Sequence, residues 1–255
     1  MRAIHTFALA LGLVCAATGV QARDWAAVKQ SGTLIAASEG AYPPFNYFQG
    51  SRLTGYEIDV MEAVAKKLGL KLEWRALAFD ALIASIRQDR FDVAIASHGY
   101  TEERAKSVDF TTPHYCSGGQ IVAKAGGPLK ATELTGKTLG VQLATTYAEA
   151  AKKVSGAKEV KTYPKDTDAL QALLGGRVDA WITDRFVAKN ALAKNSAEGI
   201  KGGDMVFVER VSMIHRKGNN ELHEQLNKGL AAIKADGTLK AISEKYFQED
   251  ISCTN

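Results

Sequence analysis

No apolar run beyond Val20 approaches the ~18 residues that a helix needs to cross a membrane, so everything after the amino end reads as a chain without a helical anchor. Charge of one sign is also missing. Lys and Arg number 32 against 28 Asp and Glu, and the two signs are interspersed. The sequence isoelectric point near 8.8 therefore reflects a small excess, with none of the basic striping of nucleic-acid binders. Catalytic signatures are absent too. There is no G-x-S-x-G elbow, no H-E-x-x-H and no paired C-x-x-C. The five histidines show no metal-ligand spacing. Gly136-Lys137-Thr138 has the ending of a phosphate loop, but Ala131 stands at its first glycine and the segment precedes its strand instead of following it. No metal and no cofactor is expected.

What is present begins with an export signal. Met1 to Ala22 carries Arg2, an apolar stretch from Phe7 to Val20 and a Val-Gln-Ala cleavage site, the pattern of a secretory signal peptide over 1–22. Val14, before Cys15, is larger than lipoprotein processing expects. The mature chain is then expected to start at Arg23, exported and soluble. Removing 22 of 255 residues leaves 233, enough for two lobes of ordinary size. Two cysteines remain, Cys116 and Cys253. An oxidising compartment favours a disulfide between them, which would tie the carboxyl tail to the middle of the chain; two free thiols are the alternative.

One stretch is written twice. Asp80 to Ile95 reads DALIASIRQDRFDVAI and Asp168 to Ile182 reads DALQALLGGRVDAWI. Each opens an amphipathic helix at Asp, turns at a basic residue and ends in an apolar strand. The repeat predicts two α/β lobes of related build with separate cores, working at the gap between them. Around it the pattern predicts strands at Leu34 to Ala37, Leu72 to Trp74 and Leu139 to Gln142. It predicts a loop at 39–45, a helix from Glu57 to Leu68 stopped by Gly69, and an extended run from Val108 to Tyr115. Val206 to Ile214 is β-rich and crosses back, and two closing helices between Asn220 and Phe247 break at Asp236-Gly237. The expected plan is 23–117 with 214–255 as the first lobe and 118–213 as the second, joined by a hinge of two crossings.

Beyond the first repeated strand lies Arg104, and beyond the second, Asp184. Arg104 falls in the first turn of a helix capped by Thr101, where the macrodipole disfavours a cation. It reads either as a tolerated surface residue beside Glu102 and Glu103 or as a fork for a carboxylate. Asp184 reads as an N-cap or as an acceptor for an ammonium group, and Thr145 and Thr146 as caps or as anion donors at a helix start. Carboxyl ends of strands are where ligands of open α/β sheets sit.

The segments Glu39-Gly40-Ala41-Tyr42-Pro43-Pro44-Phe45, Gly55-Tyr56-Glu57-Ile58-Asp59-Val60, Arg90-Phe91-Asp92-Val93-Ala94-Ile95, Thr101-Glu102-Glu103-Arg104, Asp109-Phe110-Thr111 and Gly176-Arg177-Val178-Asp179-Ala180 together resemble the periplasmic solute-binding proteins for polar amino acids. The resemblance spans nearly all of the mature chain in the same order. It implies a type II-like two-lobe α/β fold, each lobe a mixed sheet flanked by helices, that closes on one amino acid and delivers it to the permease and ATPase of an ABC importer. A periplasmic monomer is expected.

By the same resemblance Arg104 takes the ligand α-carboxylate with help from Thr145, Thr146, Ser97 and the N–H of Gly99, and Asp184 takes the α-ammonium. Tyr42 and Phe79 flank the ligand side chain and Glu39 reaches its far end, which leans towards a cationic amino acid or a derivative, with a neutral polar amino acid as the next alternative. His98-Gly99 departs from the family pattern of an apolar residue followed by a hydroxyl residue. A cyclohexadienyl-type dehydratase on the same fold resembles these proteins, but the position of its catalytic glutamate is Val187 here. A sensor component using the same cleft is the other alternative.

Overall fold

The computed structural model describes residues 23–253, so the expected signal peptide over 1–22 lies outside the described residues. Helix α1 (Trp25–Ser31) leads into β1 (Thr33–Ser38), and the 39–45 segment, expected as a loop, adds β2 (Ala41–Tyr42) to a small sheet with β3 (Asn46–Gln49) and β4 (Arg52–Thr54). Helix α2 (Tyr56–Leu68) buries Ile58, Met61, Val64 and Ala65 on one face. It stops at Gly69, whose φ of 70° is the left-handed conformation glycine adopts without a Cβ penalty.

The first copy of the repeat forms α3 (Phe79–Arg87) and β6 (Val93–Gly99), after β5 (Lys71–Ala76). Helix α4 (Glu102–Ala105) and β7 (Val108–Phe110) follow, then β8 (Tyr115–Lys124). The second half has β9 (Thr138–Gln142), α5 (Thr146–Lys152) and β10 (Glu159–Tyr163). The second repeat copy forms α6 (Asp166–Leu174) and β11 (Ala180–Asp184), followed by α7 (Arg185–Lys194). The chain closes with β12 (Ile200–Arg216), α8 (Asn220–Ala235) and α9 (Thr238–Phe247). The helices of the two copies begin slightly before their aspartates, at Phe79 and Asp166.

The two halves of the fold are not separate sheets. The hydrogen-bonded order is β10-β9-β11-β8-β12-β6-β1-β5, with β7 also on β12. Strands β1, β5 and β6 run parallel in the first half, as do β9, β10 and β11 in the second. The long antiparallel pair β8 and β12 joins them. Up to Arg210, β12 is mostly exposed or half-exposed and carries register shifts at Gly202/Met205 and Met205/Phe207; from Val211 to His215 it is buried against β6. The repeat predicted both local units, but the pairing of β8 with β12 is a long-range contact that local periodicity does not encode.

The expected bridge is present. Cys116, at the start of β8, is bonded to Cys253 across 137 positions, and the N–H of Cys116 donates to the carbonyl of Ile251. The tail is thereby held where β8 enters the joint, beside an aromatic cluster in which Phe45 lies 4.6 Å from Tyr115 and 5.2 Å from Phe247. Closing so long a loop restricts the unfolded chain, an effect of about 2–4 kcal/mol. Cys253→Ser is expected to lower unfolding stability by about that much. Urea unfolding with and without reductant checks it: wild type under reductant should match the variant, and an unchanged midpoint would refute a stabilising role.

Candidate functional site

Residues from both halves meet at a narrow cavity of about 10 Å³, room for about one water molecule. Glu39, Tyr42, Phe79, Ser97 and Arg104 line it from the first half, with Gln142, Thr145 and Thr146 opposite. The two walls are in contact, so a larger guest requires them to part. Gly99 and Asp184 do not line this cavity.

Arg104 is 8% exposed although it lies in the first turn of α4. Its guanidinium donates to the carbonyl of Gly99 at 2.8 Å and to the carbonyl of Ala144 at 2.8 Å, one from each wall. It also lies 5.7 Å from the centre of the Phe79 ring. Among the described residues no carboxylate comes within 4.0 Å of it. Burial lowers its affinity for the proton, offset in part by the more distant charges of Glu209 and Glu149. Phe79 in turn stacks on His98 at 4.7 Å. His98 is fully buried, and desolvation with the charge of Arg104 drives it well below its ordinary pKa, so it packs as a neutral ring.

Thr145 is the N-cap of α5, accepting from the N–H of Ala148, and its hydroxyl donates to the carbonyl of Gln142. Thr146 is directed elsewhere: its hydroxyl donates to Oε2 of Glu209 at 2.8 Å. Asp184 is fully buried and is indeed the N-cap of α7, with Oδ1 accepting from Phe186 and Val187. Its other oxygen stands 3.5 Å from the hydroxyl of Tyr147. Desolvation raises the Asp184 carboxyl to about 7.

Ser97 adopts a φ of 55° and is fixed by the buried Glu57 carboxylate, which accepts from its N–H at 2.7 Å and its hydroxyl at 3.0 Å. Glu57 also accepts from Asn46 Nδ2 and stands 3.0 Å from Nε2 of His114. At the far end, Oε1 of Glu39 accepts from Gln142 Nε2 at 2.7 Å. Desolvation raises Glu39 to about 8 against that bond, with Asp166 and Asp80 adding to the rise. Asp166, held by Trp181 and Thr183, is raised by burial to about 7.

Four participants escaped the sequence reading: Glu57, Gln142, Asp166 and Glu209. Glu57 and Asp166 stand at helix starts, where an acid looks like an ordinary dipole partner. Gln142 ends a strand already identified, and nothing in the run around Glu209 marks it out.

The geometry is that of a ligand-binding cleft with one cation and several acids. Comparison with known proteins places the chain. The profile of the bacterial extracellular solute-binding proteins, family 3, matches residues 34–249, and the chain belongs to that family. It is 37% identical over 230 residues to the L-cystine-binding protein TcyJ of Escherichia coli K12, covering 88% of this chain and 86% of that protein. The structure of an ancestral arginine-binding protein bound to arginine is similar at 40% identity and a TM-score of 0.81, covering 85% of this chain and 98% of that one. An ancestral amino-acid-binding protein described as a precursor of cyclohexadienyl dehydratase is similar at 32% identity and a TM-score of 0.80, covering 86% and 97%. The family is one of transport binding proteins, and the curated relative is named for binding.

Glu39, Asp166 and Asp184 keep their protons in the fold at pH values where the unfolded chain has lost them, so each contributes stability that is lost as pH rises towards about 8. Buried His98 and His215 act in the opposite sense only below their ordinary value of 6.5, so the window above it is free of them. The ligand-free melting temperature is expected to fall between pH 6.5 and pH 8, and less steeply in Glu39→Gln; differential scanning calorimetry showing it flat or rising there would contradict this.

Proposed function

We propose that this chain is a periplasmic receptor that closes around one free amino acid and delivers it to the permease and ATPase of an ABC importer. The observation that carries the reading is Arg104, a buried guanidinium at the meeting of both walls with no carboxylate of the described residues within 4.0 Å. An α-carboxylate is the group its planar fork suits, with the start of α5 at Thr145 supplying further donors. Asp184, buried and holding a proton to about pH 7, would ionise beside the α-ammonium.

The ligand is a cationic amino acid or a derivative of one. Glu39 lines the far end with the Tyr42 and Phe79 rings, and the buried Asp166 behind it is near enough to raise its pKa, so two acids lie at that end. A guanidinium or a second ammonium would satisfy both, in keeping with relatives named for arginine and for cystine. The moving parts are 23–117 with 214–255 and 118–213, as monomeric two-lobe units on the β8 and β12 crossings. Closure follows because a zwitterion touching both walls stabilises the closed form more than the open one.

Arg104→Ala is expected to weaken amino-acid binding by about 3–5 kcal/mol, a hundred-fold or more. Titration calorimetry with the best ligand from a panel of the twenty amino acids and cystine measures this, and binding within a few-fold of wild type would remove the carboxylate assignment. The cation is tested separately. Glu39 should release a proton as a positive side chain docks, so at pH 7.5 the binding enthalpy should differ between phosphate and Tris, and this difference should shrink in Glu39→Gln. Equal enthalpies in both buffers would argue for a neutral far end.

A further inference from the structure

Glu209 backs the wall at the start of α5, behind Thr146 and Tyr147 of the narrow cavity and facing the wider cleft outside it, and the function proposed above does not use it. It is carried by the crossing strand β12, one residue before the Arg210–Cys116 pair at the joint. Its carboxylate crosses to the start of α5, where Oε2 accepts from the Thr146 hydroxyl at 2.8 Å and Oε1 from the Tyr147 hydroxyl at 2.7 Å. The space it occupies exists because residue 99 is glycine. A Cβ there would meet Oε2 of Glu209 at 2.0 Å, so a hydroxyl side chain at position 99 and this carboxylate cannot coexist as placed.

We propose that Glu209 is an affinity-determining residue of the α-carboxylate subsite, an internal carboxylate that competes with the ligand's own for the donors around Arg104. The inference rests on the assignment of Arg104 to the ligand carboxylate. Ionised, Glu209 engages the Thr146 and Tyr147 hydroxyls and repels an arriving carboxylate. Protonated, it becomes a neutral donor in place of the hydroxyl that Gly99 lacks. The groups facing it are Arg104 from α4, Tyr147 and Glu149 from α5, and Asp184 at the end of β11. Burial and Glu149 favour its protonated form, while Tyr147, Thr146 and Arg104 favour the ionised one, and the balance lies above the ordinary glutamate range. At this subsite acidification would thus tighten the hold on the carboxylate, while protonation of Glu39 and Asp184 acts the other way on the cations.

The test pairs an amino acid with its decarboxylated amine: L-arginine with agmatine or L-histidine with histamine, whichever amino acid gives the larger thermal shift. Taking the ratio of the two affinities cancels Glu39 and Asp184, which see the same cations in both. In the wild-type chain the amino-acid-to-amine ratio is expected to be several-fold higher at pH 5.5 than at pH 8. In Glu209→Gln, the amino acid should bind about three- to thirty-fold more tightly at pH 8, the amine should be unchanged, and the ratio should lose its pH dependence. A ratio independent of pH in wild type, or a variant that shifts both ligands alike, would overturn the proposal. Arg104→Ala separates the two levels. If it leaves the amino acid bound as in wild type, the carboxylate assignment itself fails. If it abolishes binding while Glu209→Gln changes nothing, only the role of Glu209 fails.

Discussion

Removing a guanidinium from water without a neighbouring carboxylate is among the costliest arrangements a folded chain can hold, and among the described residues Arg104 is held in this way. The surrounding structure offsets the cost piecemeal. Two backbone carbonyls accept from it, one on each side of the cleft, the Phe79 face lies beside it, and Glu209 and Glu149 act from a distance. Because the two carbonyls belong to different halves, the cation reports whether those halves are together. Any group that replaces the carbonyls with a charged acceptor gains the difference between a dipole and an anion.

The remaining polar groups complement that cation with protons held in reserve. Glu39, Asp166 and Asp184 all lie above the ordinary carboxyl range because burial penalises their charge. A neutral carboxyl is inexpensive to bury and becomes a strong acceptor once a positive partner arrives. The cleft can therefore be compact in the described conformation while keeping the capacity to meet a cation.

Much of this was legible in the sequence because it is local. The αL stop at Gly69, the cap at Thr101, the break at Asp236-Gly237 and both copies of the repeat are encoded within a few residues of where they act. Arg104 stands out in the sequence for the opposite reason, since its place in the first turn of a helix runs against the dipole. Thr145 and Asp184 proved to be the caps the local pattern allowed, whatever else they do. The 39–45 segment reads as loop in the sequence because its two prolines mask the two-residue strand before them. The β8 and β12 union and the positions of Glu209, Glu57 and Asp166 are not legible because each is defined by partners beyond its own helix or strand, and a strand acid or a helix-start acid looks the same whether it faces water or the interior.

Glu57 has a consequence for how the molecule can move. One carboxylate ties Asn46, Ser97 and, through His114, the approach to β8 into a single knot in which Glu57, Asn46 and His114 are fully buried. Charge-assisted bonds of this kind in a dry interior resist being loosened one at a time. The floor beneath Ser97 should travel as a solid piece, leaving the twisting to the half-exposed, bulged length of β12 and sparing the pocket any internal rearrangement each time it admits or releases a guest.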